Sequence, residues 1–574
     1  MRPSFFLFVL LATSLSLQQT VSAGAPDRKS NVNMMSINPG FTRSAWLDLN
    51  RVKIHLTNRG GLDFLAGVGY GGGFWPDTTN FGPNVILFDL GPWVVGKLNG
   101  VPKMGISQWG TSYSPGPVIN GQPALLVQPA DSLRYRLFKI TKGDNADSNP
   151  DYRDWPTEFG APLDSQGKPR LLGDQTVWTV FNNLDTTAVS GYSGYWRTHM
   201  PVPGLPVQIQ QAVYSQKVPG TDSSALLANV AFIEWTIINV GDAPIESTYV
   251  SLWTDIDFDA AFNNRPAVDT VNQIGYCWQS SDNSYYTPLR AVGFVWLYGP
   301  SVPSYGSQAF FKGNPRAGYR NLPLSSFWGI QDDSYQDSSF RGPAYSMGTA
   351  WNIARGFDKA GNPVLDSVTH QETKFLYSGD PVTGSGWLCP HSSGGAGFNM
   401  FSGPFTLAPH DTQWVMAALI PVSNPDRFEC IRLLRQYAAT LRAMTYQSIV
   451  ATSVSNEAPS LPARAELEQN YPNPFNPTTT IRYSVPSLMG RAGQVPGVSE
   501  VKLVVYDLVG REVSVLVNER KEAGIHEVKF DPSGLSSGVY FYQLHVRPLD
   551  SASGRASKGG AGVFVKTRKL LLLR

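Results

Sequence analysis

The chain has 574 residues, enough for roughly two to four domains, and only 16% of them are charged. Glycine, proline, tryptophan and tyrosine are plentiful, which favours a β-rich, loop-rich architecture over helical bundles. Lysine and arginine (46) nearly balance aspartate and glutamate (44), so a nucleic acid or other bulk polyanion is excluded as the main partner.

The first residues predict a signal peptide over 1–23. Arg2 is followed by an apolar run at 5–11 and by the small-residue site Val21-Ser22-Ala23, with cleavage expected after Ala23. The run is far shorter than the roughly 20 residues of a spanning helix. No cysteine follows the cleavage site to take a lipid, and no later segment is long enough to cross a membrane.

The body is expected in two β-rich parts, 24–222 and 223–452. A strand over 45–56 carries Trp46, Leu47, Leu49, Val52, Ile54 and Leu56 among polar residues and ends at the Gly60-Gly61 turn. Segments 177–181, 205–213 and 292–298 read alike. Segments 230–240 and 247–255, joined by Gly241-Asp242-Ala243-Pro244, have the pattern of a β-hairpin and resemble immunoglobulin-like strands. One amphipathic helix is predicted over 425–448. Asn424 can cap it, Pro425 suits its first position, and Ile431, Leu434, Tyr437, Leu441 and Met444 recur every three or four residues. A polar, proline-bearing linker follows at 453–466.

Candidate chemistry in the body is sparse. Gly67-Val68-Gly69-Tyr70-Gly71-Gly72 fits a dinucleotide fingerprint, but Phe74-Trp75-Pro76-Asp77 cannot start the helix such a site needs, so it reads as a glycine loop. Asp255, Asp257 and Asp259 alternate along one segment, and three adjacent carboxylates would be relieved by a hard cation such as calcium, with Asn263 and Asn264 adding oxygens. The EF-hand template is not met, since Ala260 and Pro266 stand where it needs glycine and glutamate. The alternative is a solvated strand end. A second acidic loop places Asp147, Asn149 and Asp151 at one-three-five spacing, either as another weak calcium site or as a polar turn. The histidines are scattered, no nucleophile elbow appears, and Tyr192, Tyr195 and Trp196 could stack on a glycan or fill the core. Cys277, Cys389 and Cys430 make an odd count. They read as three buried thiols in a fold large enough to need no staple, the alternative being one bridge such as Cys277–Cys389.

The tail opens with LEQNYPNPFNPTTTIRY from Leu467. Pro472, Pro474 and Pro477 exclude helix and central strand, and Asn473 and Asn476 add turn chemistry, so a stiff extended strap is expected to lead into a first strand over 478–485. Further strands are predicted at 501–508, 512–517, 526–530, 539–546 and 563–573, punctuated by Gly510, Gly524, Gly534 and Gly538. That spacing predicts an all-β sandwich.

NYPNPFNPTTTIRY, VKLVVYDLVGREV, GLSSGVYFYQL and the basic-apolar ending KTRKLLLLR occur in that order, and with them 467–574 resembles the type A C-terminal sorting domain of the type IX secretion system. The residues matching its motifs are Asn470, Tyr471, Pro472, Asn473, Pro474, Phe475, Asn476, Pro477, Gly510, Gly538, Tyr540 and Lys569. A serine- and glycine-rich insert at 551–562 departs from the pattern. The resemblance implies passage to the periplasm, transit through an outer-membrane translocon, and release or attachment to surface lipopolysaccharide or glycan.

The body, through LNRVKIHLTNRGG, GGFWP, NPDYRDWPTEFGAP, GDQTVWTVFNN and GPFTLAPHDTQ, resembles exported proteins that carry the same tail, a resemblance that implies no catalytic residue. The expected fold is mostly β: an immunoglobulin-like β-sandwich body with one helix and a C-terminal immunoglobulin-like sandwich. The expected role is structural or ligand-binding at the cell surface or beyond. The alternative is a secreted hydrolase acting on polysaccharide or protein.

Overall fold

The computed structural model describes residues 34–35, 42–62, 71–76, 84–108, 110–185, 190–192, 204–217, 226–258, 263–281, 288–331, 347–390, 396–451, 465–470, 473, 475–486, 498–522, 524–548 and 564–572. The expected signal peptide, the linker, most of the glycine loop and the 551–562 insert lie outside them. The chain divides into two compact units, Met1–Ser453 and Val454–Arg574.

The body is a β-sandwich. Its strands are β1 Ser44–Leu47, β2 Lys53–Thr57, β3 Asp89–Leu98, β4 Val101–Ile106, β5 Phe138–Thr141, β6 Gln175–Asn182, β7 Val207–Ser215, β8 Ala231–Asn239, β9 Ile245–Ile256, β10 Asn264–Asp269, β11 Ile274–Gln279, β12 Leu289–Tyr298, β13 Ser301–Phe311, β14 Asn314–Asn321, β15 Ser326–Gln331, β16 Ala396–Leu407 and β17 Thr412–Asn424. Its longer helices are α2 Met347–Ala354 and α3 Arg427–Ala443, with short turns α1 Pro150–Arg153 and α4 Tyr446–Val450. One antiparallel sheet runs β5-β6-β7-β8-β17-β12-β11-β10, and a second runs β15-β16-β9-β3-β4. Strands from both sides of residue 222 join the first sheet, so the two halves of the body share one core.

That core lies between the sheets. Ile233, Trp235 and Ile237 of β8 face Val250, Leu252 and Ile256 of β9 across it, all essentially buried. Each such side chain contributes about 1.5–3 kcal/mol of apolar burial. The opposite faces are covered too. Phe232, Trp414, Met416 and Ile420 on the outer face of the first sheet pack under α3 and α4. Trp93, Trp253 and Phe401 on the outer face of the second pack with Ala350 and Trp351 of α2. Strands buried on both faces lose the apolar–polar alternation that marks a half-exposed strand.

Three expectations change. The segment 45–56 is not one strand but two antiparallel ones, Ser44 opposite Thr57. The break comes where Gln175 Oε1 accepts from the amides of Asp48 and Leu49, and where the Asn50 side chain donates to the carbonyls of Leu227 and Val230. The strands 231–239 and 245–256 are not a hairpin. β8 pairs with β7 and β17, whereas β9 pairs with β16 and β3, so the Gly241–Pro244 link carries the chain from one sheet to the other. Asn239 holds that crossing, donating from Nδ2 to the carbonyls of Ala243 and Leu407 and accepting from the Gly241 amide. The predicted helix stops at Ala443 and restarts as α4. Asp426, not Asn424, caps α3 by accepting from Phe428 N at 2.7 Å, and Thr445 caps α4 by accepting from Ser448 N at 3.2 Å.

The tail is a smaller sandwich. Its strands are β18 Glu466–Leu467, β19 Thr479–Val485, β20 Val498–Tyr506, β21 Glu512–Glu522, β22 Gly524–Phe530, β23 Gly538–Pro548 and β24 Phe564–Leu572. One sheet is β18-β19-β22 and the other β21-β20-β23-β24, with Ile481, Tyr483, Leu503, Val505, Tyr542, Leu544 and Leu570 among the side chains between them. No helix among the described residues of the chain is long and apolar enough to cross a membrane.

Candidate functional site

The strap that opens the tail is fastened to its last strand. β24 ends its sheet, and an edge strand leaves a row of backbone groups without sheet partners. The strap supplies those partners. Gln469 Nε2 donates to the Lys569 carbonyl at 2.7 Å, the Leu571 amide donates to Asn473 Oδ1 at 2.8 Å, and the Phe475 amide donates to the Leu571 carbonyl at 3.0 Å. Arg568 Nε donates back to the Leu467 carbonyl at 3.2 Å. Phe475 then buries its ring 6.1 Å from that of Phe530.

Asn470 is buried at the start of the strap. Its amide donates to Tyr542 Oη at 2.8 Å, its Nδ2 donates to Thr479 Oγ1 at 3.0 Å, and Tyr542 Oη donates onward to the Glu468 carbonyl at 2.7 Å. Burial pushes the Tyr542 hydroxyl up to about 12, against the opposing pull of the Asn470 amide and Arg568. Proline cannot donate, so a proline-rich strap can cover an edge only through its asparagines and neighbours, and those are the residues that do so here.

The other tail residues picked from sequence fall around this arrangement. Asn476 and Pro477 lead into β19. Gly510 has φ +82° in the turn where Asp507 Oδ1 accepts from the Val509 and Arg511 amides. Gly538 opens β23, the half-buried Tyr540 donates to the Ser536 carbonyl at 2.9 Å, and the Lys569 side chain is exposed. Tyr471, Pro472 and Pro474 lie outside the described residues. Sequence reasoning missed Tyr542, Gln469 and Arg568. A tyrosine at a core-facing position must still satisfy its hydroxyl, and that requirement was the available signal for Tyr542.

Asp255, last but one in β9, lies opposite Asp89 and Gly397, Asp257 lies just beyond the strand, and Asp259 is outside the described residues. The Asn264 side chain is spent on Phe258, accepting from its amide and donating to its carbonyl. In the second loop Asn149 caps α1 by accepting from the Asp151 amide, and the Asp151 carboxylate accepts from Arg136 Nε and the Lys139 amide, each at 3.0 Å. Asp147 is exposed. Among the described residues no three His, Cys, Asp or Glu side chains gather as a metal would need. Tyr192 pairs with Met34, while Tyr195 and Trp196 lie outside the described residues.

Two further features stand out. Glu234 of β8 is buried beneath α4, and its carboxylate accepts from Tyr214 Oη at 2.8 Å, Trp414 Nε1 at 3.0 Å and Tyr446 Oη at 3.4 Å. The half-buried Lys312 lies within electrostatic reach of it, and Arg170 within reach of Lys312 and Tyr446. Beside β5, at the open edge of the first sheet, is a cleft of about 400 Å³. Asp144, Tyr152, Asp164 and Arg170 line it, with Ile140 and Leu171 behind them. The Asp164 carboxyl is held below the usual carboxylate range, chiefly by accepting from the Lys168 amide. Such a set of groups can accept from hydroxyls, donate to an oxygen, and offer an aromatic face.

No curated protein matches the chain. Among solved structures it is similar to a polysaccharide lyase (8% identity, 64% of this chain and 34% of that one, TM-score 0.17). It is also similar to dimeric latent PorU from Porphyromonas gingivalis (10%, 69% and 31%, TM-score 0.14) and to a mutant Salmonella alpha-2-macroglobulin (10%, 70% and 25%, TM-score 0.12). The matches span about a third or less of those structures, and at these scores they carry neither fold nor activity to this chain. Residues 469–549 match the family described as the secretion system C-terminal sorting domain. The C-terminal unit is thus a type IX secretion sorting domain, and the protein that bears it is exported to the cell surface or secreted.

Proposed function

We propose that the tail delivers a ligand-binding body to the outside of the cell, and that the body holds a sugar ring of a surface or environmental glycan in the cleft beside β5. The cleft carries this reading. Its volume of about 400 Å³ suits a ligand of one or two rings. The Asp144 and Asp164 carboxylates accept from sugar hydroxyls, the Arg170 guanidinium donates to a ring or glycosidic oxygen, and Tyr152 offers a face for the apolar side of a pyranose. Lipopolysaccharide at the surface of the exporting cell is one source of such sugars.

A glycan array probed with the purified full chain tests the proposal. The expected result is binding to a defined subset of glycans that falls at least about tenfold in Tyr152→Ala and Arg170→Ala, with unchanged melting. Each such loss corresponds to about 1.4 kcal/mol. A chain that binds no glycan, or variants that bind like the parent, would overturn it.

A further inference from the structure

β13 and β14 pair with each other and form an arm that belongs to neither sheet of the sandwich. Both its ends are fastened to the body. At the tip, the buried Gly313 (φ +80°) comes so near α4 that a Cβ there would lie 2.6 Å from the Tyr446 ring, and its carbonyl accepts from Gln447 Nε2 at 3.2 Å. Phe311 sets its ring 6.1 Å from that of Trp414, and Ala309 is fully buried. At the base, Asn321 Nδ2 donates to the Gly299 carbonyl and the Ser301 amide to Gln413 Oε1, each at 2.8 Å.

Midway along the arm the register slips. Pro303 pairs with Tyr319 and Gln308 with Ala317, so residues 304–307 stand opposite Gly318 alone. A bulge of this kind re-aims side chains. Gly306 (φ +72°) and Gly318 (φ +79°) accommodate the turn, and the Ser304 and Ser307 hydroxyls meet across it at 3.0 Å. The bulge leaves Tyr305 fully exposed. At the same level β14 carries the half-buried Tyr319, with the Arg316 guanidinium 4.3 Å from its ring centre and Arg316 Nη1 donating to Ser301 Oγ at 2.9 Å. Arg320, next along the strand, is exposed, as is Phe310 nearer the tip. No aspartate or glutamate occurs between Leu289 and Gln331, and among the described residues no carboxylate pairs with Arg316 or Arg320.

We propose that this arm is a second binding surface, and that its partner is a carboxylate-bearing polysaccharide met outside the cell. Tyr305 and Tyr319 offer ring faces to the apolar sides of pyranoses, and the free Arg320 fork matches a uronate carboxylate. Charge complementarity selects an anion, since the arm carries cations and no acid. A peptide added as a further strand is disfavoured, because Pro303, Pro315 and the bulge interrupt the edges it would pair with. A phosphate-dense surface such as lipopolysaccharide calls for more free cation than Arg320 beside an already engaged Arg316 supplies. The arm is separate from the cleft beside β5, which none of its residues lines.

The test is affinity electrophoresis of the purified full chain in native gels that hold polygalacturonate, its fully methyl-esterified neutral form, or lipopolysaccharide. The expected result is retardation that is strongest in polygalacturonate and weakens as salt is raised. The affinity should fall about fivefold in Tyr305→Ala and in Arg320→Ala. Both variants should melt like the parent, since both side chains are exposed. Tyr305→Ala changes no charge, so its loss separates stacking on the arm from bulk attraction to the basic tail. Tyr152→Ala, which empties the cleft of its ring, should be retarded like the parent. The proposal is overturned by a chain that polygalacturonate does not retard, by equal retardation in the neutral ester, or by stronger retardation in lipopolysaccharide. It is equally overturned if Tyr305→Ala migrates like the parent, or if the loss is confined to Tyr152→Ala.

Discussion

Tyr542 and Glu234 show how much one buried polar atom can fasten. Tyr542 Oη joins the strap to the tail's core through two hydrogen bonds, and Tyr542→Phe leaves the Asn470 amide and the Glu468 carbonyl without that partner. A loss of about 1–3 kcal/mol is expected locally, read as faster hydrogen exchange at Asn470 with the rest of the sandwich protected. The same hydroxyl sets an alkaline limit. Its folded value, like that of Tyr483, is raised to about 12 from 10. A raised value means the unfolded chain gives up the proton first, so the stabilisation is complete below about pH 10 and is lost as pH climbs towards 12. Hydrogen exchange across β19 and β23 should rise in that window and not below it. In the body, Glu234→Ala strips the acceptor from three buried donors, Tyr214, Trp414 and Tyr446. It should cost several times the roughly 1 kcal/mol of an ordinary hydrogen bond, whereas Glu234→Gln keeps an acceptor and should cost less. Every tryptophan precedes residue 454, so denaturant unfolding followed by tryptophan fluorescence reports the body alone.

At the scale of elements, legibility followed exposure. In the tail β19 buries one face, with alternating Thr479, Ile481, Tyr483 and Val485, and could be read from alternation and glycine punctuation. In the body β8 and β17 are buried on both faces, so their existence could be read but not their sheet. That is why 231–239 and 245–256 looked like a hairpin although they belong to different sheets. Local chemistry decides the helix ends: the periodicity of 431–444 is visible in the sequence, whereas the second cap at Thr445 shows only in its hydrogen bond from Ser448 N. Asp426→Ala should remove the α3 cap at a cost of about 1 kcal/mol, seen as a lower denaturant midpoint by tryptophan fluorescence. The strap could be read from its prolines and asparagines, because their backbone chemistry is local. The partners of Glu234 and the cleft could not, since positions 214, 414 and 446 around Glu234, and positions 144 and 164 in the cleft, come together only through the fold.

At the scale of the whole molecule, two units with separate cores divide the work. Met1–Ser453 holds the sandwich and its cleft, and Val454–Arg574 holds the sorting domain. In the tail, the strap and the terminal strand come from opposite ends of the domain and are joined by the Gln469, Asn473 and Phe475 hydrogen bonds. Removing either end therefore dismantles the other. The most direct measurement is fractionation of cells that make the full chain beside cells that make a version ending at Ser460. The full chain should be found on the cell surface or in the medium, and the shortened one should be held in the periplasm. Undiminished appearance of the shortened chain outside the cells would contradict the account.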